Sequence, residues 1–183
     1  MKHELNFIHD ETTELEKRRM RMREVYQMKT CKLERSGKRP LCFVGALVDE
    51  SSSRILDGRE NDRWFDIQLY HTDDERFVVT VTYDSQCQDE ERNVQVRRFK
   101  SIQSVAEFLR DWYDPLRFTN PPLKPFPINE TEEQNLAAER LLRNYRIAID
   151  AILGIFWDQI EPFFPIYTDA WKALKSAAGN GTE

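Results

Sequence analysis

The chain has 183 residues and a mass of 21.8 kDa, which suits one domain with at most a small appendage. Hydrophobic residues make up 40% of it and aromatic residues 11%, enough for a packed core, so wholesale disorder is excluded. The net charge of −5 is unevenly spread: residues 1–40 hold 11 Lys and Arg against 7 Asp and Glu, whereas residues 41–90 hold 4 against 12. No apolar run is long enough to cross a membrane.

The N-terminal segment of residues 1–40 is predicted to be basic and helical. Its composition favours a helix, and Leu15, Met22 and Tyr26 lie close to helical spacing on one side. This apolar stripe is narrow, so the helix needs a partner surface, either in its own domain or on another chain. The Ser-Gly-Lys-Arg-Pro sequence at 36–40 is expected to end it.

Residues 41–114 are predicted to form an α+β sheet domain. Apolar or alternating stretches predict strands at residues 41–48, 64–70, 77–83 and 93–100. The strongest hairpin signal is at 64–83, where Phe65, Ile67 and Leu69 alternate on the first strand and a short polar turn precedes the second.

Two helices are predicted after the last strand. A capping box that begins at Ser104 predicts a short helix, with Phe108 and Trp112 on its apolar side. A second capping box begins at Thr131 and predicts a long helix to about Ile160, with apolar residues at steps of three and four.

The rest of the chain completes the predicted architecture. Residues 115–129 contain five prolines and are predicted to be an extended connector. Residues 130–183 are predicted to be a C-terminal helical segment packed on the sheet or on a partner. The predicted fold class is therefore α+β: a small antiparallel sheet of three to four strands with an N-terminal helix and a C-terminal helical hairpin.

The sequence gives little support for catalysis. Its three histidines match no H-E-x-x-H motif and no phosphate-binding glycine loop is present, so a histidine-based triad would have to use His71. Three cysteines without a C-x-x-C pair argue against a zinc site or a disulfide framework, so we expect no cofactor and a cytoplasmic location. The remaining enzyme hypothesis is a divalent cation held by carboxylates of the acidic loops near 49–62 and 73–75.

The leading functional hypothesis is a non-enzymatic protein-protein interaction or regulatory adaptor protein, or a subunit of a larger complex. It depends on an excess of apolar surface on the predicted terminal helices and on the lack of a convergent polar site. The partner would be another protein or a second copy of this chain. The predicted contact residues are Met20, Met22, Tyr26, Trp157, Phe163, Phe164 and Trp171.

The alternative hypothesis is nucleic-acid binding through two basic clusters. Cations at helical spacing can contact phosphates, and Phe99 between charged residues can stack on a base. The acidic flank at 84–91 opposes this hypothesis, and no membrane partner is expected. The basic clusters comprise Arg18, Arg19, Arg21, Arg23, Arg97, Arg98 and Lys100.

Overall fold

A five-stranded antiparallel sheet forms the centre of the structure, a computed structural model that describes residues 27–56, 58–125, 127–156 and 159. The strands are β1 (Lys29–Arg35), β2 (Lys38–Ser52), β3 (Ile55–Leu56), β4 (Arg59–Glu60), β5 (Arg63–Thr72), β6 (Phe77–Ser85) and β7 (Asn93–Phe99). The order in the sheet is β1-β2-β5-β6-β7, and β3 and β4 form a separate two-stranded ribbon between β2 and β5.

Two α-helices follow the sheet in the described residues, α1 (Ile102–Glu107) and α2 (Glu132–Gly154). A π-helical turn (Phe108–Trp112) continues α1, and a 3-10 turn (Pro115–Phe118) comes next. The start of α1 is three residues earlier than predicted, because the hydroxyl of Ser101 accepts the hydrogen bond from the backbone N–H of Ser104.

The predicted capping box of α2 is confirmed. The hydroxyl of Thr131 accepts from the backbone N–H of Gln134, and the side chain of Gln134 accepts from the backbone N–H of Thr131. These two bonds satisfy orphan donors in the first turn. The helix ends at Gly154 rather than near Ile160, and it packs on β5 and β2, where the Ser51 hydroxyl donates to the Ala148 carbonyl oxygen at 2.7 Å.

The main core lies between the sheet and the helices. The predicted hairpin is confirmed as β5 and β6, with Ile67 opposite Val81 and Leu69 opposite Val79, all four fully buried. Complete burial of each of these side chains contributes about 2 kcal/mol. The predicted apolar stripe of α2 covers them with Leu141, Tyr145, Ile149 and Ile152, which are also buried.

The sheet is curled, so that its two edge strands come into contact. The backbone N–H of Ser36, just after β1, donates to the carbonyl oxygen of Val94 on β7 at 3.0 Å. A second apolar cluster lies on the face opposite the helices and includes Cys31 of β1 and Val96 of β7. Because residues of both edge strands share this cluster, it occupies the inside of the curl.

The predicted fold class is wrong in its architecture, although the mixture of helix and antiparallel sheet is confirmed. The sheet has five strands rather than three to four, and the described helices are one short and one C-terminal. Lys29–Arg35, predicted as helical or as a helix end, is a strand because Cys31 and Leu33 alternate with exposed polar residues and pack inside the curl. Most of the predicted first helix, and the second arm of the predicted hairpin, lie outside the described residues.

No helix in the part of the chain that the structure describes is both long enough and apolar enough to span a bilayer.

Candidate functional site

A cleft of about 380 Å³ lies between β7 and the chain segment that runs from α1 to the 3-10 turn. Side chains of β7 form one wall, and side chains of α1, the π-helical turn and the residues after it form the other. The lining residues are Gln95, Arg97, Phe99, Ser104, Glu107, Phe108, Trp112, Tyr113, Asp114 and Arg117.

Two arginines line this cleft, each with its guanidinium over an aromatic ring. The guanidinium carbon of Arg97 is 5.8 Å from the ring centroid of Phe108, and that of Arg117 is 4.8 Å from the ring centroid of Phe118. Both arginines are exposed, and neither forms an ion pair with a carboxylate of the described residues. Ring contacts of this kind restrict the guanidinium while its N–H groups stay available to an anion.

The π-helical turn places Trp112 at the rim of the cleft. The backbone N–H of Tyr113 donates to the carbonyl oxygen of Phe108, five residues earlier, at 2.9 Å. A π-turn has more residues per turn than an α-helix, so the apolar stripe of α1 goes out of phase after Leu109. Trp112, predicted on the apolar side of the helix, is therefore 79% exposed, while Phe108 is buried as predicted.

Tyr113 lines the same cleft, and its hydroxyl group has no hydrogen-bond partner among the described residues. The side chain is only 6% exposed, and its ring stacks on that of Tyr145 with centroids 5.1 Å apart. Burial raises the pKa of the Tyr113 phenol, so it stays a neutral hydrogen-bond donor at physiological pH. Buried polar groups without a partner are rare in folded proteins, and this one lies in the wall of the cleft, closed off from solvent.

A second, smaller cleft of about 180 Å³ continues from the first along β7 towards the β1–β2 turn. It shares Gln95, Arg97 and Arg117 with the first cleft and adds Arg35 and Lys38. We call the two together the β7 groove, meaning the ten residues of the first cleft with Arg35, Ser36, Lys38, Asn93, Val94 and Val96. The groove carries four cationic and two acidic side chains, so an anionic ligand complements its charge.

The residues predicted for nucleic-acid binding are not brought together as a group. Arg97 lines the β7 groove. Arg98 points to the opposite face of the strand, where its Nη2 atom is 2.6 Å from the Oδ1 atom of Asp74. Lys100 is exposed beyond the end of β7 and lines neither cleft. The other four predicted residues, Arg18, Arg19, Arg21 and Arg23, lie outside the described residues.

The residues predicted for protein contacts also lie outside the described residues. They are Met20, Met22, Tyr26, Trp157, Phe163, Phe164 and Trp171.

Sequence reasoning missed most of the groove. The sequence pattern predicts Trp112 on the apolar side of a helix and Arg117 in a proline-rich connector, whose start is instead a 3-10 turn with Leu116 buried. A usable signal was present: Trp112, Tyr113 and Arg117 fall within six residues, close to the basic stretch at 97–100.

The acidic loops do not converge on a metal site within the described residues, where no group of three or more His, Cys, Asp or Glu side chains can hold an ion. Asp74 pairs with Arg76 and Arg98, and Glu60 pairs with Arg54. His71, considered above for catalysis, packs against the ring of Phe77, and burial lowers its pKa.

In comparisons with known proteins, no protein-family model matches the chain, and no curated protein or solved structure is significantly similar to it.

Proposed function

We propose that the protein is a non-enzymatic binding protein whose β7 groove holds an anionic partner. The observation that carries this proposal is the pair of arginines, Arg97 and Arg117, on one cleft without an acidic partner among the described residues. Guanidinium groups held in this way recognise carboxylates and phosphates through paired N–H donors.

Binding is better supported than catalysis because of the kinds of side chain in the groove. The groove includes no His and no Cys among its described residues, the side chains that most often act as general base or nucleophile at neutral pH. Its two carboxylates, Glu107 and Asp114, are both exposed to solvent, so burial does not single out either of them as a catalytic acid or base.

The proposed setting is the cytoplasm, with a partner that is not a membrane. All three cysteines are free thiols, and one of them, Cys42, is exposed, as a reducing compartment would allow. Protein contacts through the apolar residues near the two ends of the chain remain a separate proposal, which a measurement of the molar mass in solution would test.

The groove proposal is tested by calorimetric titration with polyphosphate, a flexible polyanion without aromatic groups. We expect binding that weakens as salt rises from about 50 to 200 mM. The double variant Arg97→Ala, Arg117→Ala should bind about tenfold more weakly at low salt, because two anion contacts are lost.

The matched control is Arg59→Ala, Arg140→Ala, which removes the same charge from exposed positions on β4 and α2. It should change the affinity by less than about threefold. The proposal is wrong if the unchanged protein does not bind polyphosphate, or if the control pair weakens binding as much as the groove pair does.

A further inference from the structure

We infer that the anionic partner is a nucleotide, either free or within a single-stranded nucleic acid, with its base on Trp112 and its phosphate on Arg97 and Arg117. This inference rests on the proposed function and specifies the ligand of the same groove.

The first argument is the position of Trp112. An indole ring that is 79% exposed costs free energy in water, and it stands on the same cleft as both arginines. Single-stranded nucleic acids are bound by this combination, in which bases stack on aromatic rings while cations contact the backbone.

The second argument is the pair of carboxylates in an otherwise basic cleft. A ligand that carried only negative charge would be attracted by the four cations of the groove but would leave Glu107 and Asp114 without hydrogen-bond donors. A nucleobase, in contrast, presents amino and ring N–H donors that carboxylates accept. The Oδ1 atom of Asp114 already accepts from the backbone N–H of Leu116, which holds the side chain in place and leaves its second oxygen for a ligand.

The size of the groove agrees with a nucleotide. The first cleft, at about 380 Å³, lies in the range of about 300 to 1,000 Å³ that small-molecule sites occupy. The second cleft leads on to Arg35 and Lys38, where a neighbouring phosphate of a strand would meet further positive charge.

The test compares four probes by calorimetric titration: a five-nucleotide single-stranded oligonucleotide, adenosine monophosphate, polyphosphate and poly-glutamate. We expect the oligonucleotide or the mononucleotide to bind more tightly than the two polyanions. If adenosine monophosphate binds as tightly as the oligonucleotide, the ligand is a free nucleotide. If only the oligonucleotide binds, the ligand is a single strand.

The role of Trp112 is tested by two variants, one that removes the aromatic ring and one that keeps a ring. Trp112→Ala should weaken nucleotide binding about tenfold and leave polyphosphate binding unchanged, because stacking on the base is lost. Trp112→Phe should stay within about threefold of the original protein, since a ring remains. Ile55→Ala, at another exposed apolar residue, is the control and should have no effect.

Two results overturn the inference while the proposed function stands. In the first, polyphosphate binds through the arginines, but nucleotides bind no more tightly than polyphosphate, and Trp112→Ala leaves the affinity for nucleotides unchanged. In the second, poly-glutamate binds most tightly, which would indicate an acidic protein segment instead. If polyphosphate does not bind, the proposed function is wrong, and the inference, which rests on it, is wrong as well.

Discussion

Gly45 shows how closely two strands approach inside this sheet. It lies on β2 opposite Thr72 of β5, and a Cβ atom built at this position would be 2.6 Å from the backbone oxygen of His71. Real Cβ atoms essentially never come so close, and the obstacle is backbone, which cannot move without shifting β5. Glycine is therefore required here by space and not by conformation.

We predict that Gly45→Ala lowers the free energy of unfolding by about 2 kcal/mol, because the new methyl group forces the strands apart. Gly58→Ala is the comparison, since Gly58 has φ of +73° but no atom lies near an added Cβ. Only the left-handed backbone conformation then costs stability, and we expect a loss of about 1 kcal/mol in the free energy of unfolding. The midpoints of urea unfolding measure the loss of stability in both variants. An equal or smaller loss for Gly45→Ala would contradict the argument from space.

Arg97 and Arg98 show that cationic residues adjacent in the sequence do not always share one surface of the folded protein. They are adjacent in the sequence and were predicted to act together, but strand alternation places them on opposite faces. One lines the groove, and the other pairs with Asp74. The strand predicted at 93–100 already implies this separation, because Val94 and Val96 alternate with Gln95 and Arg97.

The π-helical turn depends on α2 for its position. The hydroxyl of Tyr145 donates to the carbonyl oxygen of Leu109 at 2.6 Å, which satisfies an acceptor that the end of the turn leaves without a helical partner. Nearby, the Nη2 atom of Arg110 is 3.4 Å from the Oδ1 atom of Asp150 on α2. The two contacts join the rim of the cleft to the main core.

We predict that Tyr145→Phe lowers the free energy of unfolding by about 1 to 2 kcal/mol, because the buried Leu109 carbonyl loses its donor while the ring stacking is kept. Amide hydrogen exchange within Phe108–Trp112 should speed up more than exchange in β5. Tyr70→Phe, whose hydroxyl bonds to the side chain of Gln68, is the matched control and should cost less than about 1 kcal/mol. Uniform acceleration of exchange over the whole chain would contradict this anchoring role.

A strand or helix can be predicted from the sequence where its signal lies within a few neighbouring residues. The β5–β6 hairpin and the start of α2 followed from alternation and from a capping box, each of which is contained within a few residues. The strand β1 is not predicted, because Cys31 and Leu33 give only two alternating apolar positions after a segment whose composition favours a helix. Its burial depends on the curl of the sheet, which no local pattern specifies.

At the scale of the whole molecule, the groove is assembled from three distant parts of the chain. Its residues come from 35–38, 93–99 and 104–117. The contact between β1 and β7 brings the first two together, and the turn after α1 adds the third. The sequence contained the arginines and aromatic residues, but their convergence depends on sheet curvature and on the π-helical turn.

A buried carboxylate, Glu90, joins another set of distant segments. Its side chain, only 1% exposed, accepts three hydrogen bonds from the guanidinium of Arg63 on β5, at 2.7 to 3.0 Å, and one from the hydroxyl of Tyr83 on β6. It also accepts from the backbone N–H of Asn120, after the 3-10 turn, at 3.2 Å. Exposed ion pairs such as Arg54–Glu60 contribute much less, because solvent screens them.

The hydrogen bonds of Glu90 make the stability of the protein depend on pH. Burial alone would raise the pKa of Glu90, but the hydrogen bonds from Arg63, Tyr83 and Asn120 outweigh it and hold the pKa at about 2, below the ordinary 4.5. The unfolded chain therefore binds the proton more tightly, so the stabilisation is complete above pH 4.5 and is lost as pH falls towards 2. Because Arg63 stays partly exposed and screened, we expect a loss of about 1 to 2 kcal/mol between about pH 6 and pH 3 from this group.

Urea unfolding at a series of pH values checks this with two variants. Glu90→Gln should be less stable at neutral pH by about 2 to 4 kcal/mol, since Arg63 loses its charged partner, and its stability should fall less on acidification. Glu91→Gln removes the same charge from the exposed neighbouring residue and should keep the original dependence on pH. If Glu90→Gln lost stability with acid as steeply as the original protein, the acid sensitivity would come from other carboxylates, and Glu90 would not be the group that links these segments to pH.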